Sequence, residues 1–147
     1  FYSGNMSLGI NLLIELSKEA AKILGNQFDI EIVEKHHNLK LDAPSGTALM
    51  IADGISEQLD EDPQYVYDRH SYRRKRSKNE IGIHSVRGTI VGEHEVIFAG
   101  HDEVVTISHQ AQSKEVFAVG AVNAAVFLKD QKAGMYNMGN LLSEKMN

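Results

Sequence analysis

The sequence predicts an α+β fold with a mixed, mostly antiparallel sheet of about four strands flanked by helices. Three observations support this prediction. Two early segments with helical spacing enclose one strand, three later segments alternate apolar and polar residues, and an alanine-rich helix follows them. The regular strand–helix alternation of a doubly wound nucleotide-binding fold is missing, and no G-x-G-x-x-G motif follows a strand.

The first third of the chain predicts a helix, a strand and a second helix. Apolar residues recur at helical spacing from Ser7 to Leu24, where Ser7 suits an N-cap and Gly25 suits a C-terminal stop. Residues 28–32 alternate apolar and polar, as a half-buried strand does. The second helix is expected to begin near Ser45 and to end before Pro63.

The remainder of the chain predicts a loop, three strands and further helices. Residues Gln64 to Asn79 are polar and basic, which predicts a long loop. After this loop the apolar period changes to two, and three segments predict an antiparallel meander: Ile81 to Val86, Thr89 to Phe98 and Glu103 to His109. Two last segments predict helices: Val116 to Leu128 and Asn140 to Lys145.

The bulk composition excludes several classes of function. The 147 residues suit one ordinary domain, and 42% hydrophobic content is enough for a real core. A net charge of -5 argues against a nucleic-acid-binding protein, so the basic run Arg69 to Lys78 is interpreted as a solvated loop. The remaining alternative is a loop that folds over an anionic site. There is no cysteine, and no apolar run is long enough to span a bilayer. We expect a cytoplasmic protein without a nucleic-acid or membrane partner.

One short stretch concentrates the chemistry, because Glu34 to Ala48 reads EKHHNLKLDAPSGTA. Ser45 can cap the second helix, Gly46 lets an anion approach the backbone, and Thr47 adds a hydroxyl donor. The free N–H groups of a helix N-terminus make a natural carboxylate or phosphate site. Lys40 supplies a compact positive charge that can face the same anion.

The adjacent histidines of this stretch suit proton transfer. His36 and His37 lie at the end of the predicted strand, where neighbouring side chains point to opposite faces, so one can face a substrate while the other orients or protonates it. The alternative is a strand end with surface histidines and an ordinary capped helix, which the chemistry alone favours slightly. A metal site is disfavoured, because the two rings diverge and no carboxylate lies at helical spacing to join them. Four other histidines are expected to be structural or on the surface: His84, His94, His101 and His109.

The same fifteen residues closely resemble the signature of the 4-hydroxy-tetrahydrodipicolinate reductase (dihydrodipicolinate reductase) family, E-x-H-H-x-x-K-x-D-A-P-S-G-T-A, with every fixed position present. Lys114 stands where the family commonly has arginine, and Thr89 follows Gly88 directly where the family usually has a further glycine. Further segments resemble the family along nearly the whole chain: Ser3 to Asn11, Glu80 to Gly88, Ile90 to His94, Phe117 to Ala121 and Gly134 to Met138.

This resemblance implies a domain organisation. The fold would be of the glyceraldehyde-3-phosphate-dehydrogenase C-terminal-domain type. Residues 1–6 would be a hinge from an N-terminal nucleotide-binding domain that the chain lacks. Residues 7–113 would form the substrate-binding and tetramerisation domain, and residues 114–147 a C-terminal segment that packs on the nucleotide-binding domain. The assembly would be a homotetramer.

The resemblance also implies an activity, the reduction of a cyclic imine dicarboxylate by NADPH or NADH in the diaminopimelate route to lysine. His36 would be the catalytic acid/base and Lys40 the proton donor, with no metal ion. The implied substrate ligands are His37, Ser45, Gly46 and Thr47, and the implied cofactor contacts are Ser3, Gly4, Asn5 and Met6. The chain alone is expected to be inactive, because the main cofactor-binding domain is missing from it. The alternative is a non-catalytic dicarboxylate-binding or oligomerisation module.

Overall fold

The computed structural model describes residues 1–146, which form four helices and one five-stranded sheet. The helices are α1 (Leu8–Leu24), α2 (Gly46–Ser56), α3 (Glu115–Lys129) and α4 (Met138–Met146), and a short 3-10 turn, Gly25–Gln27, follows α1. The strands are β1 (Asp29–His37), β2 (Gln64–Val66), β3 (Glu80–Gly88), β4 (Gly92–Ala99) and β5 (Val104–Ala111). The predicted α+β class with a mixed sheet is confirmed.

The first helix begins and ends at the residues that the sequence predicts. Ser7 Oγ accepts the N–H of Ile10 at 3.2 Å, which satisfies one of the free donors of the first turn. Gly25 follows the last turn with a φ of 47°, a backbone conformation that glycine adopts without steric cost. The helix therefore ends at a defined residue, and β1 begins five residues later, at Asp29.

β1 is the central strand of the sheet, whose order is β2-β3-β1-β4-β5. β3 runs parallel to β1 and β2 parallel to β3, whereas β4 is antiparallel to β1 and β5 antiparallel to β4. Side chains alternate along β1, so that Ile30, Ile32 and Glu34 are buried on one face. This face is called the inward face below.

The predicted meander of three consecutive strands is wrong, because β3 and β4 are not neighbours. β1 lies between them, and residues 89–91 carry the chain across its end from Gly88 to Gly92. An alternating pattern identifies strands but not their pairing. β1 pairs with β3 on one side and with β4 on the other, which places it at the centre of the sheet.

The hydrophobic core lies between the inward face of the sheet and the helices α1 and α2. Both helices contribute small and aliphatic side chains, and the sheet contributes β-branched residues and one phenylalanine. The core members are Leu13, Ala21, Ile30, Ile32, Ala48, Ile51, Ala52, Ile55, Ile81, Ile83, Val96 and Phe98. Burial of this apolar surface fixes α2 against β1, and with it the position of the N-terminus of α2.

The segment predicted as a long basic loop is partly ordered against the sheet. Its first residues form the edge strand β2, which pairs with β3. Further along, Arg69 binds Glu80 at 2.5 Å and also pairs with Glu31, while Arg76 binds Glu31 at 2.9 Å. Arg76, which is 19% exposed, is therefore held against the outward face of the sheet, because buried and half-buried carboxylates on β1 and β3 require partners. Arg69 stays 39% exposed, and the other residues of the basic run are exposed, as the sequence predicts.

The last two helices form a second, smaller core with the start of the chain. Ala124, Met138 and Leu141 pack against Phe1 and Met6, among others. A Cβ at Gly120 would collide with the carbonyl oxygen of Met6, so only glycine allows α3 to approach this segment. None of the helices within residues 1–146 is long and apolar enough to cross a membrane.

Candidate active site

The inward-facing positions change from apolar to polar at one end of the sheet. On β1 the inward series continues from Ile32 to Glu34 and His36. Glu34 lies opposite His94 of β4, and His94 lies opposite His109 of β5. A carboxylate and three imidazoles thus gather where the hydrophobic core ends, beside the N-terminus of α2.

Glu34 is a fully buried carboxylate that accepts several hydrogen bonds. Arg87 donates two of them, each at 2.8 Å, and the backbone N–H of Ser45 donates another at 3.1 Å. His36 Nδ1 lies 2.5 Å from Glu34 Oε2. Burial by itself raises the pKa of Glu34, but the hydrogen bonds from Arg87 and His36 outweigh it and lower the pKa to about 2. Glu34 is therefore negatively charged at neutral pH.

The charge on Glu34 fixes the hydrogen pattern of His36. A carboxylate only accepts hydrogen bonds, so His36 Nδ1 carries a hydrogen and donates it, which leaves Nε2 as the position for proton exchange. Gly92 leaves room for the ring, because a Cβ there would lie 3.3 Å from its Cδ2 and Nε2 atoms. The side chain is 14% exposed and faces a cavity. This is the arrangement that general acid–base catalysis requires.

The N-terminus of α2 forms another wall of the cavity and presents unused donors. Ser45 Oγ accepts the N–H of Ala48 at 3.1 Å, as an N-cap does. Within residues 1–146 no acceptor pairs with the N–H groups of Gly46 and Thr47, and the space where a Gly46 Cβ would lie is open. Thr47 Oγ1 accepts from Asn5 Nδ2 at 2.9 Å, so its own hydrogen is free to donate. These donors suit an anionic group.

Lys40 adds a positive charge to the same wall. Its ammonium lies 2.9 Å from the exposed carboxylate of Asp42, and this hydrogen bond lowers the pKa of Asp42. The Lys40 side chain is 21% exposed and borders the cavity. An exposed ion pair contributes little to stability, so Lys40 can exchange Asp42 for an anionic ligand at small cost.

One cavity of about 530 Å³ brings most of the predicted site residues together. Those on its wall are Gly4, Asn5, His36, His37, Lys40, Ser45, Gly46 and Thr47. Two predicted cofactor contacts are not on this wall: Ser3 Oγ donates to the carbonyl of Asn5, and Met6 packs in the second core. No group of three or more His, Asp or Glu residues within the described part of the chain is placed to hold a metal ion.

Several residues that shape the site were not identified from the sequence. His94 and His109 border the cavity, together with Lys114 and Phe117, although both histidines were expected to be structural or on the surface. Burial lowers the pKa of His94 to about 4 and also lowers the pKa of His109. The alternation along β1 does contain one signal from which the buried Glu34 could have been predicted. A glutamate two positions after Ile32 falls on the inward face, and a buried carboxylate requires a cationic partner.

Comparison with known proteins identifies relatives of this chain. A family model described as "Dihydrodipicolinate reductase, C-terminus" matches residues 9–142. A 4-hydroxy-tetrahydrodipicolinate reductase of Caldanaerobacter subterraneus subsp. tengcongensis is 65% identical over 145 residues, which cover 98% of this chain and 57% of the relative. The enzyme of the same name from Clostridium tetani is 54% identical over 144 residues, which cover 97% of this chain and 56% of the relative. The chain thus spans little more than half the length of these curated relatives.

A solved structure shares the fold. It is described as dipicolinate-bound dihydrodipicolinate reductase from Paenisporosarcina sp. TG-14, with a TM-score of 0.73 and 28% sequence identity. The match covers 94% of this chain and 52% of that chain.

The substitution Glu34→Gln tests the buried carboxylate. It removes the charge that pairs with Arg87 and keeps the side-chain shape, so we expect the free energy of unfolding at pH 7 to fall by roughly 3 kcal/mol, as for other broken buried ion pairs. The folded-state pKa of about 2 lies below the ordinary 4.5, so the ionic contribution is complete above pH 4.5 and is lost as the pH falls towards 2. Urea unfolding of both proteins at pH 7, 4 and 3 measures this.

The control is Glu61→Gln in the exposed segment between α2 and β2, which should change stability little at any of these pH values. A difference between wild type and Glu34→Gln that stays constant from pH 7 to pH 3 would contradict the assignment of an ionised Glu34.

Proposed function

The chain belongs to the dihydrodipicolinate reductase family, and we propose that it is the substrate-binding part of a 4-hydroxy-tetrahydrodipicolinate reductase. The proposed reaction reduces a cyclic imine dicarboxylate to tetrahydrodipicolinate in the diaminopimelate route to lysine, in the cytoplasm. The observation that supports it most directly is the single cavity in which a Glu34-oriented His36 faces Lys40 and the free donors of α2.

The wall formed by α2 and Lys40 suits the two carboxylates of such a substrate. We propose that the N–H groups of Gly46 and Thr47 and the hydroxyls of Ser45 and Thr47 bind carboxylate oxygens. His37 and Lys40, which border the same cavity, would supply further donors. Hydrogen bonds to a charged group are roughly twice as strong as neutral ones, so several of them can hold a small dianion in one orientation.

Proton delivery is the task that we assign to His36 and Lys40. Reduction of a conjugated imine adds a hydride and requires one proton, and His36 Nε2 is the nitrogen that remains available once Nδ1 is bound to Glu34. Lys40 would both attract a carboxylate and give up a proton. The hydrogen bond from Nδ1 to Glu34 holds the His36 ring in one orientation, with Nε2 towards the cavity. A non-catalytic binding module would not require this oriented pair, which favours the enzyme.

The first residues of the chain suit the reacting end of NADPH or NADH. When bound, the nicotinamide supplies the hydride. Gly4 and Asn5 border the cavity, and Asn5 also binds Thr47 of the proposed carboxylate site. We therefore propose that Gly4 and Asn5, with their neighbours Ser3 and Met6, form the cofactor-facing edge of the site.

Helix α3 has an exposed apolar face that suits the nucleotide-binding part of the enzyme. Its side chains Val119, Val122 and Val126 are 59%, 63% and 65% exposed. An apolar stripe on a surface helix is normally turned towards a packing partner. We propose that residues 114–147 pack on the nucleotide-binding domain, while residues 7–113 bind substrate and form the subunit interface, and residues 1–6 act as the hinge.

Hydrogen–deuterium exchange tests this packing. The backbone amides of α3 should exchange more slowly in the complete enzyme than in the 147-residue chain, because a docked helix opens less often. The amides of α2, which is packed in the core of this chain, should exchange equally in both and serve as the control. Equal exchange of α3 in the two proteins would show that its apolar face has another role.

The outward face of the sheet suits association between subunits. Parts of it are exposed and apolar, at Val86 and Val104. β2 and β5 are edge strands, whose unpaired backbone groups also favour pairing with another chain. We propose that four copies associate through these sheets, as the family resemblance implies.

Light scattering at micromolar concentration tests the assembly. The chain should behave as a tetramer, and Val86→Lys with Val104→Lys should shift it towards smaller species because two charges would be buried in the interface. The control is Ile23→Lys on α1, a position 79% exposed and away from the sheet. A wild-type monomer, or a double variant with an unchanged mass, would refute the sheet interface.

Steady-state kinetics of the complete enzyme test the proposed roles. His36→Gln should lower kcat by about 100- to 10,000-fold with a smaller change in KM, which is the usual cost of losing general acid–base help. Lys40→Ala should raise KM and lower kcat together, and His37→Gln should mainly raise KM. Lys22→Ala is the matched control, because Lys22 pairs with Glu19 on α1 and does not border the cavity.

The folded state and subunit assembly of each variant are checked first, by circular dichroism and light scattering. If Lys40→Ala keeps a near-normal kcat/KM, the motif is a structural turn and the proposed active site is wrong.

A further inference from the structure

His94 is a buried imidazole that has no role in the proposed carboxylate binding or proton delivery. It lies on the inward face of β4 and is 4% exposed. Its backbone register places it between Glu34 of β1 and His109 of β5. Its Nδ1 atom is buried and has no hydrogen-bond partner within residues 1–146. A buried nitrogen without a hydrogen-bond partner is unfavourable for stability, so the presence of a histidine at this position calls for a functional reason.

The ring of His94 contacts both halves of the site. Its Nε2 atom lies 3.0 Å from Ser45 Oγ, at the N-terminus of α2. Its ring lies edge-to-face against His36, with centroids 5.1 Å apart and an interplanar angle of 73°. One side chain therefore touches the N-cap of the anion-binding helix and the ring that is proposed to move the proton.

The two nitrogens of a neutral His94 are not equivalent. If Nδ1 carried the hydrogen, an N–H donor would be buried without an acceptor, which is rarer and less favourable than a buried acceptor without a donor. The hydrogen therefore belongs on Nε2, which donates to Ser45 Oγ. Ser45 Oγ also accepts the N–H of Ala48, so both of its acceptor positions are used. The Ser45 hydroxyl hydrogen is then left to donate into the cavity, which Ser45 borders.

The surroundings keep His94 neutral. Burial is the main cause that lowers its pKa to about 4, and the charges of His36, His109 and Lys40 act in the same direction. Only Glu34 opposes them. At neutral pH the ring of His94 is therefore uncharged, and it does not compete with His36 for Glu34.

We propose that His94 is a positioning residue with two effects. Its Nε2–H donates to Ser45 Oγ, so that the Ser45 hydroxyl donates to a ligand carboxylate. Its ring keeps the His36 ring in place by edge-to-face contact. This inference rests on the proposed function, in which Ser45 binds a substrate carboxylate. His94 acts through its two neighbours and does not itself take part in the reaction.

Imidazole nitrogen NMR of the ¹⁵N-labelled 147-residue chain tests the hydrogen pattern without any substrate. At pH 7 His94 should be neutral, with hydrogen on Nε2 and none on Nδ1. His101, in the exposed turn between β4 and β5, gives the reference spectrum of a solvated ring. A doubly protonated His94, or one with hydrogen on Nδ1, would overturn the proposal whatever the protein's activity.

A double-mutant cycle tests the coupling to Ser45, with dipicolinate binding measured by calorimetry. His94→Phe and Ser45→Ala should each weaken binding by roughly tenfold, the value of one hydrogen bond to a charged group. The double variant should bind about as well as either single variant, because both remove the same donor. Full additivity of the two effects would overturn the proposal. The control His101→Phe should leave binding unchanged.

A third variant separates positioning from packing. His94→Gln keeps an N–H donor at the position of Nε2, so it should bind dipicolinate more tightly than His94→Phe does. If the two variants bind equally weakly while both stay folded by circular dichroism, the ring has only a packing role. If wild type does not bind dipicolinate, the proposed function fails, and the NMR result alone decides the role of His94.

Discussion

The Glu34 carboxylate accepts hydrogen bonds from Arg87, from the Ser45 backbone and from His36, at the point where the hydrophobic core meets the cavity. This one group joins β1, β3 and the N-terminus of α2. Its burial would be unfavourable without these donors, so each of them is held at a defined distance. The orientation of His36 and the position of the helix N-terminus therefore depend on the same carboxylate. A change that neutralises Glu34 is expected to disturb binding and proton transfer together.

Two neighbouring buried groups differ in charge because their partners differ. Glu34 is kept ionised, since Arg87 and His36 donate to it, whereas His94 is kept neutral, since burial and nearby cations disfavour a further positive charge. Pairs of groups whose environments push their pKa values apart are a recurring feature of acid–base sites. His36 contacts both groups, since Nδ1 lies 2.5 Å from Glu34 and its ring lies edge-to-face against His94. The charged Glu34 and the neutral His94 thus set the electrostatic surroundings of the cavity wall beside them.

The sheet order explains how residues far apart in the chain meet around Glu34. Because β1 lies between β3 and β4, Arg87 approaches Glu34 from one side and His94 approaches from the other. The segment before α1 reaches the same cavity through Asn5, which binds Thr47. Glycine at position 92 leaves space for His36, and glycine at position 120 lets α3 approach Met6. The cavity is therefore formed by the junction of all these elements, and no single motif contains it.

The sequence alone determined the helices with their caps, the α+β class and the stretch from Glu34 to Ala48, because spacing and capping act over a few neighbouring residues. Ser7, Gly25 and Ser45 were assigned correctly for this reason. The family resemblance predicts catalytic roles for His36 and Lys40, whereas the residues themselves left a surface role open for the histidines. Only the tertiary structure decided that β1 separates β3 from β4, that Arg87 neutralises Glu34 and that His94 is buried against His36 and Ser45. Strand pairing and burial join residues more than forty positions apart, and local patterns contain no information about which strand becomes the neighbour.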